Sequence, residues 1–195
     1  MIELIFATQN QHKVQEIATL LPQHLRVITM GEVGITQDIP EPHDTITANA
    51  HEKSKTIYAL TGKNCFGEDT GLVVPALNGE PGVKSARYAG NDKNFEANIN
   101  KLLQNMASFT VRDAYFLTVI SLVWQGNTYT FEGRCDGTIT NTPRGTGGFG
   151  YDAVFKPLGS DKTFAEMLVN EKNKYSHRRK AVDALLTFLN TQVPL

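Results

Sequence analysis

The segments Ala114 to Trp124 and Thr128 to Arg134, joined by Gln125-Gly126-Asn127, read as a β-hairpin, which fixes antiparallel neighbours in whatever sheet the chain builds. Helical periodicity lies on both sides of it. Val14, Ile17 and Leu21 recur at helical spacing and predict a helix from His12 to Leu21, after a first strand from Ile2 to Phe6. Asp44 or Thr45 is placed to cap a second helix that runs to Leu60 and stops at Gly62, with Ile46, Ala50, Ile57 and Leu60 facing inward. Phe95, Ile99, Leu102 and Met106 predict a third. Ala181, Val182, Leu185, Leu186 and Leu189 predict a last one from Arg178 to Leu189. Leu72 to Val74 and Tyr151 to Phe155 read as extended, and Asn78-Gly79 and Pro81-Gly82 as turns. Helices and strands intermixed around a hairpin favour a mixed α/β sheet over a purely parallel one.

A chain of 195 residues, 41% of them hydrophobic, buries a full core as one domain, 1–195, divisible into two lobes; no repeat or linker interrupts it. Lys and Arg number 19 against 20 Asp and Glu, a formal net charge of -1, so no global field draws nucleic acid or an anionic membrane. An anionic substrate must therefore meet local positive charge. Cys65 and Cys135 have no C-x-x-C spacing, which argues against a zinc site or a disulfide framework and predicts two buried thiols in a reducing compartment. The short apolar run ending at Phe6 contains Glu3 and fits neither a signal peptide nor a membrane span, so the cytoplasm is the expected location.

Gly67-Glu68-Asp69-Thr70-Gly71 sets two adjacent carboxylates between an apolar run and a turn, where a sheet edge presents negative charge to a metal ion. A solvated turn is the commoner explanation of an isolated acidic dipeptide, because charged residues are mostly exposed. Other segments change that weighting. Thr8-Gln9-Asn10-Gln11-His12-Lys13 combines a hydroxyl, amides and an ammonium group where a helix begins, an end that already favours anions. Prolines on both sides of Glu41 stiffen a loop able to hold its carboxylate at a defined distance from Asp69, and Lys53 lies one helical turn beyond Asn49. Lys172 to Lys180 gathers five cationic side chains and His177 at the start of the last helix, an arrangement that opposes the helix dipole unless an anionic or keto-bearing ligand shares that end. Arg178 offers a rigid donor fork and His177 a single donor.

Gly145-Thr146-Gly147-Gly148-Phe149-Gly150 fits the dinucleotide pattern G-x-G-x-x-G, but an extended segment rather than a helix is expected after it, which argues against a nicotinamide-dependent oxidoreductase. A glycine loop that lets backbone approach a ligand, with Phe149 as a stacking face, fits better. Three acidic groups, several lysines, helix-terminal amides and a glycine loop suit a magnesium-bound polyphosphate. A binding module without hydrolysis would have no need of Glu41, Glu68 and Asp69.

Six ordered motifs carry a resemblance across nearly the whole chain: Thr8-x-Asn10-x-x-Lys13, Asn49-Ala50-x-x-Lys53, Glu68-Asp69-Thr70-Gly71-Leu72, Gly79-x-Pro81-Gly82-Val83-x-Ser85-Ala86-Arg87-Tyr88, Gly147-Gly148-Phe149-Gly150-Tyr151-Asp152 and Ser176-His177-Arg178. In this order they resemble the inosine triphosphate pyrophosphatase family, also called the Ham1 family. The resemblance implies an elongated mixed sheet with flanking helices, in two lobes around a central cleft. It also implies a homodimer that uses Mg2+ to hydrolyse ITP, dITP and XTP to the monophosphate and pyrophosphate. By resemblance, Thr8, Asn10, Lys13, Lys53 and Lys172 contact phosphates, with Gln9, Gln11 and His12 in the same first turn. Glu41 and Asp69 hold the metal with Glu68 assisting, and Asp69 accepts the proton. Thr70, Phe149, Gly150, Tyr151, Asp152, His177 and Arg178 complete the nucleotide site. Sister pyrophosphatases acting on other modified nucleotides lack the last two motifs as a pair. This chain departs from common members in having Glu68 for Asp, Ala48 for Glu, and Arg179 where Gly is frequent.

Overall fold

A computed structural model describes residues 2–192. The strands are β1 (Ile2–Phe6), β2 (Leu25–Thr29), β3 (Cys65–Val73), β4 (Asp113–Trp124), β5 (Asn127–Ile139) and β6 (Phe155–Pro157), in the sheet order β2-β1-β3-β4-β5-β6. β1 runs parallel to β2 and to β3, pairing Ile5 with Cys65 and Phe6 with Phe66, whereas β5 and β6 are antiparallel. The sheet is mixed, as the hairpin requires. The helices are α1 (Gln11–Ala18), α2 (Ile46–Thr61), α3 (Phe95–Asn105), α4 (Val169–Lys172) and α5 (His177–Gln192).

The chain divides into two compact units. Of the first, residues 2–69, 118–133 and 178–192 are described. Strand alternation organises its core, because successive side chains point to opposite faces. Leu4, Phe6, Phe66, Ile120, Leu122 and Trp124 pack with Ile17 of α1 and with Ala181, Val182, Leu185 and Leu189 of α5. The intervening Ile5, Cys65 and Val123 pack with Ile57 of α2. The second unit, 70–117 with 134–177, centres on Leu72, Ile99, Leu102, Phe116, Ile139, Phe155 and Phe164.

Local chemistry sets the helix ends. Asn10 caps α1 by accepting from His12 and Lys13 N–H; Thr45 caps α2, and Gly62 ends it in the left-handed conformation. Gln125 and Gly126 both have positive φ, as the tight turn between β4 and β5 demands. Both cysteines are buried free thiols, and burial pushes that of Cys65 up to about 12.

Several expectations are corrected. β2 went unread because Arg26 and Thr29 interrupt its apolar residues. α1 ends at Ala18 rather than Leu21, and Leu60 is 65% exposed although its spacing on α2 put it inward. Phe95, which opens α3, is 37% exposed rather than core. β5 continues five residues past Arg134, since Gly133, Cys135, Gly137 and Ile139 keep the buried alternation. Tyr151 to Val154 is a turn, not a strand: the N–H groups of Val154 and Phe155 both donate to the Tyr151 carbonyl, and only Phe155 onward is extended. The acidic pair lies inside β3 instead of at a turn.

Gly67 lets α2 approach β3. A Cβ there would stand 2.4 Å from the Ala50 carbonyl oxygen, 2.7 Å from Lys53 Cβ and 2.8 Å from the Ser54 nitrogen. Two of those atoms are helix backbone, so nothing flexible can yield. Gly67→Ala is expected to cost about 1–3 kcal/mol of unfolding free energy, read as a lowered urea midpoint at unchanged slope; an unchanged midpoint would refute the tight approach.

Candidate functional site

Alternation along β3 separates the two acids. Glu68 shares the face of Phe66, toward α1 and α5, whereas Asp69 shares the face of Cys65 and Gly67, toward α2. Each face supplies its own cations. Glu68 is 0% exposed, with Oε2 2.8 Å from Lys13 Nζ and Oε1 accepting from Arg178 Nη2 at 3.1 Å and Nε at 3.3 Å. Arg178 also donates through Nη1 to Glu16, and despite full burial the Glu68 and Glu16 carboxylates raise its pKa further above the ordinary value.

On the other face Lys53 Nζ donates to the Glu68 backbone carbonyl at 3.1 Å and to Asp69 Oδ1 at 3.0 Å, and lies 2.5 Å from Glu41 Oε1. Three acceptors match the three N–H bonds of an ammonium. Burial alone would lower the Lys53 pKa, but Asp69 and Glu41 together raise it. Burial also lifts the Asp69 carboxyl above its usual range, more than Lys53 and Lys13 lower it, and Glu41 adds to the rise. Glu41 and Asp69 thus converge on one ammonium. Asn49 fixes the loop beside them, its Oδ1 accepting from His43 N–H and its Nδ2 donating to His43 O, both at 3.0 Å.

Thr8 Oγ1 accepts from Asn10 N–H at 3.1 Å, and Gln9 Nε2 donates to the Thr36 carbonyl. Gln11 and His12 are exposed. The first unit thus brings together Lys13, Glu41, Lys53, Glu68, Asp69 and Arg178. Sequence reasoning missed Glu16 and the clamping role of Asn49. The signal for Glu16 was present: it lies three residues after Lys13, on the same helical face.

The second unit gathers another set. Asp152 Oδ2 accepts from Phe149 N–H at 3.0 Å and from Lys172 Nζ at 2.8 Å, and Lys172 Nζ lies 5.6 Å from the centre of the Phe149 ring. Gly148, at φ 72, leaves room for that carboxylate, since a Cβ there would lie 2.1 Å from Asp152 Oδ2. Tyr151 is buried, its hydroxyl donating to the Ser85 carbonyl, and burial raises its pKa. The His177 ring stacks on Phe116 at 4.5 Å. Thr70 is partly buried in β3, and Gly150 follows Phe149 with φ 61. Arg179 pairs with Asp183 one turn along α5.

Among the described residues no three His, Cys, Asp or Glu side chains form a metal cluster. The donors present nonetheless suit magnesium, which takes one or two carboxylates and completes its shell with water and phosphate. Glu41 and Asp69, which meet at Lys53, could supply such a pair. Glu68 lies on the opposite face, paired with Lys13 and Arg178.

A family model described as the Ham1 family matches residues 4–188. A Flavobacterium johnsoniae protein named dITP/XTP pyrophosphatase is 46% identical over 188 residues, 96% of this chain and 98% of that protein. A Porphyromonas gingivalis protein of the same name is 46% identical over 190 residues, 97% and 98% of the respective chains. The solved structure of the Staphylococcus aureus Ham1 protein is similar with a TM-score of 0.89 at 38% identity, covering 98% of this chain and 100% of that one.

Removing one partner from a buried ion pair leaves an uncompensated charge. Arg178→Ala should therefore lower the unfolding free energy by about 3–5 kcal/mol and Arg178→Lys by less. Urea denaturation measures both; a loss below about 1 kcal/mol for the alanine variant would show that Glu68 does not depend on the guanidinium.

Proposed function

The chain belongs to the Ham1 family, and we propose that it hydrolyses ITP, dITP and XTP to the nucleoside monophosphate and pyrophosphate, removing them from the nucleotide pool. The observation that carries this reading is the convergence of Glu41 and Asp69 on Lys53, with a further ammonium, Lys13, on the other face of β3. Relatives named dITP/XTP pyrophosphatase, matched over nearly their whole length, support the substrate class.

Glu41 and Asp69 would hold magnesium, which when bound supplies charge stabilisation to the phosphoryl oxygens. Asp69 takes a proton at its carboxylate from the attacking water. The water oxygen bonds to the α-phosphorus as the bond to the bridging oxygen breaks, and pyrophosphate leaves with that oxygen. Lys13 and Lys53 offset the charge of the phosphates.

Phe149, with the Lys172 ammonium near its ring, offers the nucleobase a stacking face. A 6-keto oxygen accepts hydrogen bonds where the amino group of adenine donates them, and we assign its recognition to His177 and adjacent N–H groups. An unpaired buried donor costs ~1–3 kcal/mol, one to two decades against ATP. Arg178 is committed to Glu68 and Glu16, so its part is to fix Glu68. A homodimeric state and a cytoplasmic location belong to the same proposal; sedimentation and cell fractionation test them. Among the described residues no helix is long and apolar enough to cross a membrane.

Pyrophosphate release from a panel of triphosphates with magnesium tests the reading: ITP, dITP and XTP should be hydrolysed, ATP and GTP poorly, and a chelator should abolish turnover. Asp69→Asn should lose at least about a hundredfold in kcat while remaining folded. A folded Asp69→Asn enzyme with normal turnover would sink the assignment.

A further inference from the structure

The loop that carries Phe149 rests on a separate turn of the same unit, the short 3-10 helix Phe164–Glu166. Its base closes where Arg144 N–H donates to the Ala153 carbonyl at 2.8 Å. The Phe149 ring has contacts of its own, with Phe95 at 6.1 Å, centre to centre, and with the Lys172 ammonium. The backbone of Ala165 joins both limbs of the loop: its carbonyl accepts from Gly147 N–H at 3.0 Å, and its N–H donates to the Asp152 carbonyl at 3.1 Å. The approach is backbone to backbone. A Cβ at Gly145 would stand 2.4 Å from the Ala165 carbonyl carbon, 2.5 Å from its oxygen and 2.6 Å from the Glu166 nitrogen. Asp152 is thereby held at both ends by one stretch of chain, its carbonyl by Ala165 and its carboxylate by Lys172 farther along.

Thr163 opens that turn and grips the root of the loop. Its hydroxyl donates to the Arg144 carbonyl at 2.8 Å, and its N–H donates to Glu166 Oε2 at 2.7 Å. The same Glu166 oxygen lies 3.1 Å from Arg144 Nη2, which also donates to the Asp161 carbonyl at 2.6 Å. Arg144 and Glu166 are partly exposed, so solvent screens their attraction. Thr163 is 0% exposed, and its hydroxyl cannot exchange the bond to Arg144 for one to water.

We propose that Thr163 is a positioning residue for the nucleobase: by tying the Arg144 carbonyl and opening the turn that presents Ala165, it fixes where the loop holds Phe149. The inference rests on the reading of Phe149 given under Proposed function. Glu41, Asp69, Lys13 and Lys53, assigned there to the metal and the phosphates, belong to the first unit, whereas Thr163 and the loop belong to the second. A displaced loop therefore weakens the hold on the base and leaves the phosphate groups their contacts.

Inhibition by the two products separates the ends of the substrate, because IMP carries the base and pyrophosphate does not. Thr163→Val keeps the shape and loses the hydroxyl. Its KM for ITP and XTP and its inhibition constant for IMP should rise about three- to tenfold, with kcat and the inhibition constant for pyrophosphate within about twofold of the unmodified enzyme. Thr163→Ser keeps the hydroxyl and should restore both raised constants. Gly145→Ala, which drives a Cβ against Ala165 from an exposed position, should produce the same split, and it decides the matter where Thr163→Val does not fold. Unchanged KM in a folded Thr163→Val or in Gly145→Ala, an equal rise for pyrophosphate, or a Thr163→Ser enzyme as impaired as Thr163→Val overturns the inference and leaves the functional reading intact. Absence of turnover by the unmodified enzyme overturns both.

Discussion

Two neighbouring carboxylates inside a buried strand are the constraint on which the first unit depends. Neither can stay charged without a partner, and strand alternation turns them to opposite faces. Glu68 draws Lys13 from α1 and Arg178 from α5 to one face of β3, while Asp69 draws Lys53 from α2 to the other. Three helices are thereby pinned to one strand by charge as well as by apolar packing. The same alternation makes the acids inequivalent. Glu68 is enclosed by Lys13 and Arg178, whereas Asp69 shares the Lys53 ammonium with Glu41, which stands on a partly exposed loop.

The elements with strong local signals were legible in the sequence. Thr45 and Gly62 bracket α2 because capping chemistry is local, and the turn at Gln125-Gly126 announces the hairpin for the same reason. Features set by tertiary contacts were not. The sequence Gly67-Glu68-Asp69 looks like a turn because glycine and acidic residues usually are one. Here the glycine admits a helix and the acids are neutralised by residues distant along the chain. Tyr151 to Val154 looks like a strand by composition, but the buried Tyr151 hydroxyl reaches Ser85 and Asp152 holds Lys172, and a turn meets both demands. Phe95 misled for the opposite reason: its spacing was helical, but its partner was an aromatic ring in a distant loop.

Adjacent residues of one motif have separate duties. His177 stacks on Phe116 in the second unit, while Arg178 joins Glu68 and Glu16 in the first. His177 and Arg178, both expected as donors to the ligand, stand together at the start of a helix, and in the structure the guanidinium meets the carboxylates of Glu68 and Glu16. Its planar fork suits that duty: Nε and Nη2 reach the same Glu68 oxygen while Nη1 serves Glu16, a division that a lysine ammonium cannot make in this geometry.

The pairing of charges then locates the demand for a cation. Among the described residues, Lys13 and Arg178 meet Glu68, while Glu41 and Asp69 both converge on Lys53. Such a trio has no attraction for a bare triphosphate. A divalent cation held by Glu41 and Asp69 would reverse the local sign. Under the proposed function, substrate and metal are therefore coupled by simple electrostatics, with the nucleotide accepted as its metal complex and Lys53 keeping the empty trio from opening.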